Sequence, residues 1–144
     1  MKHFNLLQRY VANLAIWNVK LHNLHWNVEG IHFMKIHDFT EEIYDRVGEK
    51  FDEVAELLKM KNQMPLSTIA EYLEAATLKE APTKAFTETE ALEILKADLE
   101  LMKELASEIR NTADEEGDFE VVAIFEEYVM EYSKNIWFVD AMLK

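Results

Sequence analysis

A chain of 144 residues, 49% apolar and 30% charged, has the size of one domain, and only three glycines and two prolines point to long helices with few tight turns. The lack of cysteine excludes disulfides and thiolate metal sites, leaving oxygen and imidazole ligands, and suits a reducing cytoplasm. Acidic residues number 28 against 15 basic ones, and the net charge of −13 repels nucleic acid and attracts cations, although it also serves plain solubility.

The first helix is predicted over about residues 3–28. Phe4, Leu7, Val11, Leu14, Leu21 and His25 share one 3-4 register with Asn18 as the exception, so His25 points with the core stripe. Gln8, Arg9, Asn13 and Asn18 interrupt the apolar character. A signal peptide or membrane span needs a continuous apolar run, so an intracellular, cytoplasmic protein with no membrane partner is expected.

A turn at Gly30 leads to a second helix over about residues 33–62, with a stripe of Ile36, Phe39, Ile43, Val47, Val54 and Leu57. On its flank, one residue removed, lie His37, Glu41, Asp52 and Glu56. Pro65 and Ser67 then open a short helix over about 67–75, and a connection containing Pro82 runs to about residue 86. Thr87 and Glu90 form a capping box for a third long helix over about 88–112, with Leu92, Leu95, Leu99, Met102, Leu105, Ala106 and Ile109 inward. Asp114–Asp118 is read as its break and as the next N-cap. The fourth long helix, about 119–142, carries Val122, Phe125, Val129, Tyr132, Ile136 and Val139. No repeat, low-complexity tract, phosphate loop or nucleophile motif accompanies them. The expected architecture is all-α: one domain over 1–144, a ferritin-like four-helix bundle with a short extra helix in the crossover between its second and third long helices.

The chemistry concentrates between His22 and Glu56, where four of the five histidines fall. On one helix His37 and Glu41 are a turn apart, and so are Asp52 and Glu56. The two pairs are separated by roughly 22 Å at ~1.5 Å rise per residue, so no single ion touches both. However, 37 with 56 and 41 with 52 add to the same total, 93. A helix packed antiparallel on its own copy across a two-fold axis keeps such a total constant. A homodimer would then set His37 against Glu56 of the mate and Glu41 against its Asp52, giving two equivalent sites of which neither chain owns a complete one. Asp45 and Gly48 share the total and fall near the axis, where a residue without a side chain permits close approach. His25 joins from the first helix. The competing reading is a solvated acidic helix face.

Ferritin-like di-iron sites usually take Glu-x-x-His from two helices. Here the one such motif, Glu29 to His32, straddles Gly30 in a turn, and no histidine follows residue 37. A histidine-containing site must therefore lie near the first two helices.

LHNLHWNVEG at 21–30, Phe33 to His37, FDEVAE at 51–56, Pro65-Leu66-Ser67-Thr68, the acidic loop at 114–118 and Trp137 together resemble the Dps mini-ferritins, over nearly the whole chain. The resemblance implies an inter-subunit ferroxidase centre of His25 and His37 with Asp52 and Glu56 of the mate. Glu41 stands where an Asp is frequent, and Trp26 lies beside the centre. It further implies a hollow dodecamer that oxidises Fe(II), preferably with hydrogen peroxide, and stores ferric mineral, with zinc as a substitute metal. Asp38, Glu41 and Glu42 match acidic nucleation positions. Asp114 and Asp118 match positions near an iron-admitting pore, but Val122 and Ala123 stand where acidic residues are common. The chain also lacks a Lys- or Arg-rich tail, so strong DNA binding is not expected. The rivals are a shell that mainly consumes peroxide, a DNA-binding structural shell with zinc-filled or empty sites, and a plain dimerising bundle without metal.

Overall fold

The structure, a computed structural model, describes residues 1–144. Five helices account for most of the chain: α1 (Lys2–Asn27), α2 (Phe33–Met60), α3 (Ile69–Ala75), α4 (Glu88–Glu115) and α5 (Phe119–Leu143). Each long helix forms around an apolar side chain every third or fourth residue. In α1, Leu7, Val11, Leu14 and Leu21 are fully enclosed and His25 is buried with them. In α2, Ile36, Ile43, Val47, Val54 and Leu57 are buried, and Phe39 is half-buried against Phe138.

The hairpin of α1 and α2 packs against the hairpin of α4 and α5, with α1 also touching α4. Across from it, α2 meets α5 where Arg46 and Lys50 both reach Glu131, and where the Tyr128 hydroxyl donates to Glu53. The short α3 lies on α1, and its Tyr72 sets an edge on Phe51 of α2. Two residues that interrupt the α1 stripe serve the crossover. Gln8 donates to the Met64 carbonyl at 2.8 Å and accepts from the Leu66 N–H at 2.9 Å, while the Asn13 side-chain oxygen accepts from the N–H groups of Thr77 and Leu78 at 2.7 and 3.0 Å. These bonds supply partners that an irregular segment cannot find within itself.

The all-α bundle with a short helix in its crossover is as expected, and three local details differ. A two-residue parallel bridge joins β1 (Val28–Glu29) to β2 (Phe86–Thr87), with Val28 opposite Phe86 and Glu29 opposite Thr87. The third long helix continues through Asp114 and Glu115 and stops only where Gly117 takes φ 76°, a left-handed conformation that releases the Asp118 N–H to the Ala113 carbonyl at 2.9 Å. The crossover helix starts at Ile69, two residues after its expected start, and is capped by Thr68, which accepts from the Glu71 N–H at 3.2 Å. The Thr87–Glu90 capping box is present at α4, and Asp118 caps α5 by accepting from the Val121 N–H at 3.4 Å.

Candidate metal centre

His25 in the last turn of α1 and His37 near the start of α2 hold each other through the main chain. His25 Nδ1–H donates to the carbonyl oxygen of His37 at 2.7 Å, and His37 Nδ1–H donates to the carbonyl oxygen of His25 at 2.9 Å. A carbonyl only accepts, so each Nδ1 carries the hydrogen and each ring, when neutral, presents its Nε2 lone pair. The rings stack with centroids 3.6 Å apart and planes 14° from parallel. Thr40, buried between the helices, donates to the Ile36 and His37 carbonyls at 2.9 and 3.0 Å and lies 3.2 Å from His25 Nδ1. Two imidazoles are thus oriented before any ion arrives, as metal-ligating histidines are when the far nitrogen is tied to a carbonyl.

Glu41 completes what one chain brings together: its Oε1 is 3.9 Å from His25 Nε2, and its side chain is 53% exposed, free to swing. Asp52 and Glu56, further along α2, are exposed and remote from the histidines, and no three His, Asp or Glu side chains of a single chain converge tightly enough to hold an ion. Asp38 and Glu42 are exposed on the same helix.

The bundle interior offers no alternative cage, because its carboxylates face cations. Lys50 Nζ is 2.8 Å from Glu131, and Lys20 Nζ is 2.9 Å from Asp98. Burial pushes Lys50 down to about 8 and pushes Asp98 up from the usual carboxylate range. Burial also acts to raise Glu131, but hydrogen bonds from Arg46 and Lys50 outweigh it and hold that carboxyl below its ordinary value.

At the acidic loop, Asp114 and Asp118 do not act together. Asp114 is exposed and pairs with Arg110 at 3.6 Å. Asp118 is enclosed by Lys61 at 2.8 Å and by His3 Nε2 at 2.8 Å, besides capping α5.

Sequence reasoning missed two neighbours of the centre. His22 Nδ1–H donates to the Asn18 carbonyl at 2.6 Å and its ring stacks on Tyr44, centroids 3.9 Å apart. Tyr44 in turn sets its edge toward His25 at 5.1 Å and donates to Glu41 at 3.4 Å. The i to i+3 spacing of His22 to His25 and of Glu41 to Tyr44 was the available signal. Trp26, 66% exposed, lies beside His22 on the outer side.

Two helical hairpins joined by a long crossover, with a histidine and carboxylate site on one flank, define a ferritin-like protein, and residues 4–144 match the family described as a ferritin-like domain. A DNA protection during starvation protein of Helicobacter pylori is 32% identical over 143 residues, covering 99% of each chain. A solved structure of a Dps protein from Vibrio cholerae, described as a member of a broad superfamily of ferritin-like diiron-carboxylate proteins, matches with a TM-score of 0.94 at 29% identity, over 99% of this chain and 89% of that one. A Dps mutant of Listeria innocua with glycine in place of two histidines twelve residues apart matches with a TM-score of 0.93 at 34% identity, over 96% and 91% of the two chains. The chain belongs to the Dps family.

Proposed function

We propose that this protein binds Fe(II) at sites shared between two copies, oxidises it preferentially with hydrogen peroxide, and stores the ferric product inside a hollow dodecameric shell, limiting oxidative damage. The observation that carries the proposal is the reciprocal bond between His25 and His37, which leaves both Nε2 lone pairs available with Glu41 at their edge. The same twelve-residue separation of two histidines occurs in the Listeria innocua protein.

In this reading His25, His37 and Glu41 of one chain face Asp52 and Glu56 of the mate. Borderline imidazoles with hard carboxylates suit iron, and zinc can occupy the same donors. Carboxylates shared between two Fe(II) ions let peroxide take one electron from each. The O–O bond then breaks without releasing a hydroxyl radical, and hydrolysis of the Fe(III) product sheds protons. Asp38, Glu41 and Glu42 supply exposed carboxylates for the first mineral. Asp114 faces solvent beside the exposed Glu115 at the end of α4, whereas Asp118 is engaged by Lys61 and His3.

Complementation tests the sharing. His37→Ala and Asp52→Ala are each expected to lose fast Fe(II) oxidation. When the two are unfolded and reassembled together, a mixed dimer carries one site with both lesions and one with none, so part of the activity returns. Ferric absorbance after peroxide addition is the readout. A mixture as inactive as its parents, in assemblies shown by mass spectrometry to contain both chains, would refute the shared site.

A further inference from the structure

The five residues between α1 and α2 are held by a group from far along the chain. Glu88, the first residue of α4, accepts from the His32 main-chain N–H at 2.9 Å and from His32 Nδ1–H at 2.9 Å. The same carboxyl fills the space over Gly30, whose backbone sits at φ 143°; a Cβ there would lie 2.6 Å from Glu88 Cδ. Beside it the bridge of Val28 to Phe86 and Glu29 to Thr87 ties the loop to the segment leading into α4. Turn, bridge and carboxyl thus fix one end of α4 to the pivot of the α1–α2 hairpin.

That pivot sets the separation of His25 and His37. His37 lies four residues into α2, roughly 6 Å from its start at ~1.5 Å per residue. A tilt of about 10° at the turn therefore moves the ring by roughly 1 Å, well beyond the ~0.2 Å tolerance of a metal-ligand bond. The contact of Thr40 with His25 Nδ1 and the two reciprocal bonds oppose such a tilt locally, but all three act between α1 and α2 and none refers the pair to the rest of the bundle.

We propose that Glu88 is a positioning residue for the histidine pair: by latching His32 and filling the space over Gly30 it holds α2 at the tilt that sets both Nε2 atoms for one ion. This rests on the reading of His25 and His37 as metal ligands. Glu88 touches no substrate, and the inference concerns affinity and coordination geometry before any oxidation.

The test titrates the assembled, metal-free protein with Co(II) alone and follows the visible ligand-field bands. Glu88→Ala is expected to bind Co(II) about tenfold more weakly, with altered bands, as when a group supporting a ligand is lost. Glu88→Gln, which keeps an acceptor oxygen for the His32 N–H, should stay within about threefold of the parent. Glu90→Ala weakens the start of the same helix by breaking its capping box with Thr87, a bridge residue, yet Glu90 bonds to no residue of the turn at 28–32; its affinity and bands should be those of the parent. If Glu88→Ala fails to assemble, Glu88→Asp, whose shorter arm keeps the charge but withdraws from His32, replaces it. The latch is refuted if the Glu88 variant keeps parental affinity and bands while His37→Ala loses Co(II), or if Glu90→Ala weakens binding as much as it does. Retained Co(II) binding in His37→Ala would instead overturn the ligand reading itself.

Discussion

Gly30→Ala is the substitution whose cost can be built up from the geometry. At φ 143° an L-residue is strained, and positions of that kind cost about 1–3 kcal/mol. The new methyl would meet Glu88 Cδ at 2.6 Å, Cγ at 2.7 Å and Oε1 at 2.9 Å, so the carboxyl must leave. Its two bonds to His32 go with it; because the His32 side chain is 71% exposed, water replaces most of their worth, leaving about 0.5–1 kcal/mol. Alanine also stiffens the unfolded chain, returning about 0.4–1 kcal/mol. The net expectation is a loss centred on about 2 kcal/mol, within a span of about 0.5–3.5, or roughly 4–8 °C in melting temperature at the centre for a chain of this length. Thermal and urea unfolding at one fixed protein concentration measure it. In a Glu88→Ala background the same change should cost about 1 kcal/mol less, because the clash is gone and only the backbone strain remains. A Gly30→Ala protein melting at or above the parent's temperature would refute both the strain and the clash.

Gly48→Ala separates chain from assembly: within one chain a Cβ there meets nothing within 4 Å, so the helix should gain about 0.5–1 kcal/mol, whereas a two-fold axis beside Gly48 predicts a weaker dimer by sedimentation. Tyr132→Phe should cost about 1–3 kcal/mol in urea unfolding because it leaves the buried Tyr10 hydroxyl unpaired, and the Tyr10→Phe/Tyr132→Phe double variant should recover most of that loss. Glu116 is held below its usual range by His3, and Asp118, despite burial acting to raise it, by Lys61 and His3. Carboxyls with depressed folded values stabilise fully above the unfolded value of about 4 and lose that contribution as pH falls through the folded value. Urea midpoints measured from about pH 5 to 3 should therefore fall less steeply in Lys61→Met than in the parent. Plasmid DNA at physiological salt, without added divalent cation, should migrate unretarded, since the net charge is −13.

The long helices were legible because their apolar residues recur every third or fourth place, and the starts of α4 and α5 because Thr87 with Glu90 and Asp118 carry their own caps. The end of α4 was misplaced for a physical reason: Asp114 and Glu115 are unfavourable there but do not break a helix, and the stop depends on the backbone of Gly117. Periodicity assigns lysine to the surface, so it could not reveal Lys20 and Lys50 inside the bundle, each answered by a carboxylate 78 or 81 residues away. His25, His37 and Glu41 were readable from spacing, while their mutual locking needed the turn geometry. The contact of His32 with Glu88 spans 56 residues, and neither residue's neighbours advertise it.

That no three donors of one chain converge has a consequence in time. On the shared-site reading a newly made subunit, still alone, offers two imidazoles and a carboxylate that has not converged on them, and lacks the second copy's Asp52 and Glu56 that paired-ion chemistry needs. Oxidation could begin only once a second copy had docked. Assembly would then act as a licence, keeping a half-built particle from meeting iron and peroxide before its walls can contain the product.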